Sequence, residues 1–188
     1  MVRRGATRAY WLVFLLSTGA AAGFASWRVA VALASPDATL TLTSSSFRAG
    51  GEIPAQFTCE GADVSPELSW NDPPTATRSF ALILNDPDAP GGNFIHWVIY
   101  DLPASTRSLP EGVVQSPEAA GGRQGTNGFG KVGYGGPCPP PGKPHRYFLR
   151  LWALDSTLNL QQPGAADVES ALRGHILARG EIMGRFRR

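Results

Sequence analysis

Two carboxylates, two imidazoles, a guanidinium and a phenol cluster around strand-like stretches of this 188-residue chain. Asp86 and Asp88 alternate with prolines in Asn85-Asp86-Pro87-Asp88-Ala89-Pro90-Gly91, directly after the apolar run Phe80 to Leu84. Prolines stiffen that backbone and hold the first carboxyl where a buried strand meets solvent. The segment reads either as a site carboxylate or as an Asx-type turn. An Asp-x-Asp also suits a hard cation, but further oxygen ligands are not evident, so no metal is expected. His96 precedes Trp97 inside Phe94 to Tyr100, where a period of two gives it one face with Phe94, Val98 and Tyr100. A histidine there serves a ligand or is a core residue satisfied by one neighbour. In Pro144-His145-Arg146-Tyr147 the period places His145 and Tyr147 on one side and Arg146 on the other.

The elements that must carry these groups are mostly short strands between turn clusters. Thr39 to Thr43 alternates Thr and Leu, Ile53 to Thr58 is a second strand candidate, and Leu68 to Trp70 a third. Phe80 to Leu84 is apolar throughout, as a strand covered on both faces requires. Along Arg146 to Leu154, Tyr147, Leu149, Leu151 and Ala153 share one face. Phe148, Trp152 and Leu154 share the other with Arg146 and Arg150. Val168, Leu172 and Ile176 recur at helical spacing, with Ala171 and Ala178 adjacent, Asp167 at the cap and Gly180 placed to stop the helix. Glu181 to Phe186 predicts a closing strand, and Arg185, Arg187 and Arg188 read as a solvated tail, with a specific anionic partner as the alternative. The fold expected is mainly β, a sandwich of two sheets with one or two peripheral helices.

The chain contains 22 Gly and 16 Pro, and nine of the glycines and four of the prolines fall between Gly121 and Gly142. That stretch also holds Phe129 and Tyr134, so it reads as an ordered loop, not a linker. The formal charge is +2, yet Arg3, Arg4, Arg8 and Arg28 have no acid beside them before residue 35. Residues 35–188 therefore carry 13 basic and 15 acidic residues, a formal −2, which argues against a nucleic-acid binder. The leader, 1–34, has the order of an export signal: basic start, apolar run Tyr10 to Leu16, then small residues. Ala32-Leu33-Ala34 offers a cleavage site before Ser35, with Gly23-Phe24-Ala25 as another. An uncleaved anchor over 10–34 competes, against which Arg28 counts. The remainder, 35–188, is expected to be one domain in the periplasm or outside the cell. Cys59 and Cys138 form one disulfide there or stay two independent buried thiols.

Four motifs occur in order: Asp-Pro-Asp-Ala-Pro (86–90), His96-Trp97, Gly-Tyr-Gly-Gly-Pro-Cys-Pro-Pro (133–140) and Pro-His-Arg-Tyr (144–147). Together they resemble the phosphatidylethanolamine-binding protein family, in its bacterial Raf-kinase-inhibitor-like branch. Cys59 to Trp70, Ser79 to Leu82 and Gly174 to Ala178 extend the likeness to about Leu40 to Phe186. The resemblance implies a β-sandwich with a large central sheet and a smaller one. It also implies a pocket at one end of the large sheet for phosphate, phosphoethanolamine-like head groups and other small anions. By motif position, Asp86, Pro90, His96, Pro140, His145 and Tyr147 line that pocket. Asp88 and Arg146 support it, and Asp63 and Ser65 stand on a neighbouring loop. Two departures carry expectations of their own. In Gly-Thr-Asn-Gly-Phe-Gly (125–130), Gly128 replaces an acid common in the family, which implies a looser loop. The chain also ends at Arg188 without the C-terminal segment of the eukaryotic branch, so kinase-regulatory roles are not expected to transfer.

Three function classes follow. The first is a non-catalytic module binding a small anion or phospholipid head group, with a regulatory role within reach and no cofactor. The second is a hydrolase using Asp86 and His96; no Gly-x-Ser-x-Gly elbow, Walker loop or zincin motif supports it. The third is an inhibitor or interaction factor of a kinase or protease, for which the sequence specifies no partner.

Overall fold

The computed structural model describes residues 38–188; the leader or anchor at 1–34 lies outside them. Ten strands and one α-helix follow in order. They are β1 (Ala38–Thr39), β2 (Leu42–Thr43), β3 (Leu68–Trp70), β4 (Ser79–Asp86), β5 (Phe94–Pro103), β6 (Ser108–Leu109), β7 (Glu118–Ala119), β8 (Gly122–Gln124), β9 (His145–Leu154), α1 (Ala165–Ala171) and β10 (Ile176–Phe186). Seven strands form the large sheet in the order β1-β10-β9-β4-β5-β8-β7, and β2-β3-β6 form the small one. All pairings in the large sheet are antiparallel except β1 with β10. Among the described residues, no helix is long and apolar enough to cross a membrane.

Strand β4 is buried along its whole length because it is central and covered on both faces. Its side chains divide by the pleat. Phe80, Leu82 and Leu84 enter the core between the sheets with Trp70, Trp97, Leu149, Leu151 and Phe186. Ala81 and Ile83 turn the other way, to a second cluster with Val98, Tyr100, Leu154 and, from α1, Val168. Strand β9 follows the alternation of its sequence, with Tyr147, Leu149, Leu151 and Ala153 all in the inter-sheet core.

Three expected elements differ. Thr39 to Thr43 is not one strand: β1 adds to the large sheet, the chain crosses over at Leu40, and β2 joins the small sheet. Both leucines are still buried, so the alternation reports burial without reporting which sheet receives it. Ile53 to Thr58 is not a strand either. After an isolated bridge from Glu52 to Arg185, Ala55–Phe57 form a 3₁₀ turn that buries Ile53 and Phe57 without a ladder. The helix is shorter than its apolar spacing implies. It stops at Ala171, Gly174 turns at φ +82°, and Ile176, Ala178 and Gly180 belong to β10. Asp167 lies in the first turn, not at the cap, and its Oδ2 accepts the Gly164 N–H at 3.0 Å.

Candidate functional site

The carboxyl end of β4, the start of β5 and the start of β9 meet at one end of the large sheet. Asp86 is the last residue of β4 and is 3 % exposed. Its two oxygens serve different partners. Oδ1 accepts the Asp88 N–H at 2.8 Å, closing an Asx turn, while Oδ2 lies 2.8 Å from His145 Nδ1. The turn reading and the site reading of Asp-Pro-Asp thus hold together. Asp88 receives the Arg146 guanidinium on both oxygens, at 2.7 and 2.8 Å, and the Arg146 N–H at 2.9 Å. Those hydrogen bonds and the guanidinium charge hold the Asp88 carboxyl down at about 2.

His96 owes its position to an irregularity. The β4–β5 register pairs Leu84 with Trp97 but Asn85 with Ile95, so β5 has one residue more than its partner here. The bulge lets His96 stay on the Phe94 side while Trp97 enters the inter-sheet core; Val98 and Tyr100 face the opposite cluster. Strict alternation would set Val98 and Tyr100 beside His96, and the bulge breaks it. The ring contacts Phe94, Phe129 and Tyr147 edge-on, at centroid distances of 5.0, 5.5 and 5.3 Å. His96 Nδ1 donates to the Gly135 carbonyl at 2.8 Å, and the Gly135 N–H returns a bond to the His96 carbonyl at 2.9 Å. Burial lowers the His96 pKa from its ordinary value, against the Gly135 carbonyl and the Asp86 charge, which favour the proton. Tyr147 is fully buried beneath this ring. Its hydroxyl has no hydrogen-bond partner of good geometry among the described residues. Burial and the nearby Asp86 charge together raise its pKa far above the ordinary phenol value.

These groups border a cavity of about 160 Å³, walled by Asp86, Pro90, His96, Phe129, Pro140 and His145 among others. Tyr147 lies behind the wall rather than in it. Both imidazoles spend Nδ1 on an acceptor, so each offers only Nε2 to a guest. As neutral rings they accept; only as imidazolium does either donate. Phe94 and Phe129, not assigned to the site from sequence, complete an aromatic rim, and Phe129 remains 44 % exposed.

The Gly/Pro loop is held from below. Asp63, in the left-handed region at φ 54°, accepts the Gly136 N–H at 2.6 Å, and Tyr134 Oη donates to the Phe57 carbonyl at 2.6 Å. Cys59 and Cys138 are bonded to each other, and both are exposed, not two buried thiols. Ser65 acts elsewhere, bracing another loop through its Oγ, which accepts the Val113 N–H at 2.9 Å. Gly128 stands in a loop that carries its own brace. Asn127 braces it, with Oδ1 accepting the N–H groups of Phe129 and Lys131 and Nδ2 donating to the Gly133 carbonyl. Gly128 itself packs under Phe94, where a Cβ would come within 2.7 Å of Cζ. Gly128→Ala is therefore expected to cost about 2 kcal/mol in urea unfolding. Unchanged stability would mean that Phe94 swings away freely.

Comparison with known proteins matches residues 43–187 to the model of the family described as phosphatidylethanolamine-binding protein. A UPF0098 protein of Aquifex aeolicus is 49% identical over 154 residues, covering 80% of this chain and 90% of the relative. One from Methanothermobacter thermautotrophicus is 44% identical, covering 79% and 99%. The crystal structure of E. coli YbcL, described as a new member of the mammalian PEBP family, superposes with a TM-score of 0.74 at 33% identity. That likeness covers 80% of this chain and 99% of that one.

Proposed function

Since this chain belongs to the phosphatidylethanolamine-binding protein family, we propose that its pocket binds a small phosphate-type anion or a phosphorylated head group without turnover. One observation carries this reading: His96, His145 and Asp86 converge on one small cavity. A carboxylate beside an anion site is at first sight repulsive. Here both Asp86 oxygens are already engaged, by Asp88 N–H and by His145, so its charge is answered within the protein. The anion then meets the Nε2 positions, and binding draws a proton onto one of them. An ethanolamine ammonium would use the acceptors that remain, which suits a zwitterionic guest.

A pH dependence follows, with its sign. In the free protein burial disfavours the His96 imidazolium, whereas an anion in contact with Nε2 favours it. Affinity for glycerophosphoethanolamine, a diester that does not titrate near neutrality, should fall as pH rises from mildly acid to mildly basic. The slope approaches about tenfold per pH unit if one proton is taken up. NMR titration of the wild type and of His96→Gln measures it; a pH-independent wild-type affinity would refute the protonation account. Stability of the free protein has the opposite trend. The lowered His96 pKa contributes stability present above about 6.5, the ordinary value, and lost as pH falls toward the folded value.

Absence of turnover is part of the proposal, and a panel of phosphate and acyl esters tests it: product that disappears with Asp86→Ala would reassign the pocket to catalysis. We also propose that residues 1–34 export the protein. An exposed disulfide suits an oxidising compartment. Mass measurement of the protein recovered outside the cytoplasm tests this, with loss of the leader expected and an intact mass in the cytoplasm the contrary result.

A further inference from the structure

A second hollow adjoins the pocket, lined by Asp88, Lys143, Pro144, His145, Arg146 and Arg185, with a volume of about 540 Å³. His145 is common to both. Pro144 and Arg185 also border a third hollow, where Arg187 stands. The charge here is unusual for the sheet that carries it. On the outer face, β9 and β10 set residues directly opposite one another. Arg150 faces Glu181 and pairs with it at 2.7 Å, and Phe148 faces Met183. Arg146, however, faces Arg185. Like charges directly opposite across two strands are destabilising. Asp88 answers only Arg146. Lys143, Arg185 and Arg187 are exposed and have no ion-pair partner among the described residues. This concentration does not reflect a general excess of cations, since residues 35–188 are formally −2.

We propose that Lys143 and Arg185 form a second anion subsite, and that the protein's ligands carry two phosphate groups a few bonds apart. The first phosphate occupies the pocket of Asp86, His96 and His145; the second lies outside it, between the ammonium and the guanidinium. The inference rests on the pocket reading above and extends it to a ligand class. A guanidinium fork matches phosphate oxygens in pairs, and an ammonium adds a point charge. Once the first phosphate is bound, the second contact is intramolecular, so modest interactions multiply affinity. A soluble bisphosphate and a lipid with two phosphates present the same chemistry.

The test compares O-phosphorylethanolamine with alkanediol bisphosphates of two to four carbons, titrated into the full chain at low salt. A parallel arm uses phosphatidylcholine vesicles with and without cardiolipin. At least one two-phosphate ligand is expected to bind about tenfold tighter than O-phosphorylethanolamine. Lys143→Gln/Arg185→Gln should reduce that advantage to about twofold or less, while leaving O-phosphorylethanolamine binding unchanged. Preference for the soluble compounds or for the vesicles identifies the source of the ligand. The subsite is refuted if no two-phosphate ligand gains over the monophosphate, or if the gain survives the double replacement. If O-phosphorylethanolamine itself fails to bind, it is the pocket reading that falls, and this extension with it.

Discussion

Replacing Asp86 with alanine should abolish detectable binding of O-phosphorylethanolamine and lower the unfolding free energy by about 3 kcal/mol. The effect is large because one carboxylate holds two structures. Without it the Asp88 N–H loses the acceptor that closes the turn, and the buried His145 Nδ1 loses its only partner among the described residues. The loss at His145 is the costlier of the two, since Asp86 is 3 % and His145 9 % exposed, whereas Asp88 is half-buried. Asp86→Asn separates the two roles. Its side-chain oxygen can still accept from Asp88, so most of the stability should return. The charge that Asp86 lends to the imidazoles does not, so binding should stay weak. Calorimetric titration and urea unfolding of both variants read the two effects independently. Full binding by Asp86→Ala would remove the carboxylate from the site.

The second large effect is expected from the disulfide. Cys59 and Cys138 are 79 residues apart, and the bridge between them is worth about 4.5 kcal/mol in the chain-entropy model. Cys59→Ser/Cys138→Ser should lower stability by about that amount. It should also weaken ligand binding, because Cys138 and Pro140 belong to the pocket wall. Hydrogen bonds continue to tie this loop after the covalent link is gone, from Cys59 N–H to the Pro137 carbonyl and from Gly136 N–H to Asp63 Oδ1. The loop should therefore loosen rather than detach. Hydrogen exchange resolves the distinction: amides that exchange by global unfolding should accelerate with the lost stability, and those around 133–140 should accelerate further, whereas uniform acceleration would indicate global destabilisation only. Both sulfurs belong to exposed residues, so a dithiol reductant should reproduce the effect on the wild type.

Much of the fold is written in periodicity that burial enforces. Strands β4 and β9 follow their apolar patterns because a central strand needs apolar side chains on both faces. Periodicity fails where the backbone does something pairwise. Nothing in Phe94 to Tyr100 announces an extra residue at His96, because a bulge is a relation between two strands. Thr39 to Thr43 alternates correctly, yet its two halves serve different sheets. Helical spacing runs past the end of α1 because Ile176 satisfies either a helical or an extended neighbour, and Gly174 decides between them by its left-handed turn. At the site, motif order brings together Asp86, His96, His145 and Pro140, which the fold sets around one cavity. It does not show which imidazole pairs with Asp86, nor that Tyr147 lies behind the wall. Phe94 and Phe129 are both visible as aromatic residues beside the motifs. Only the folded loop shows that they form a rim.

The placement of β10 constrains how the protein can be made. This strand, the last of the described chain, is inserted between β1 and β9, and it pairs in parallel with the first. Ile182 and Phe186 also fill the inter-sheet core. Until β10 leaves the ribosome, β1 has no neighbour in the large sheet and that core lacks three of its side chains, those of Ala178, Ile182 and Phe186. Contacts between such distant segments form late and slowly. The chain therefore stays incompletely folded until β10 has been made, which leaves its apolar strands open to misassociation.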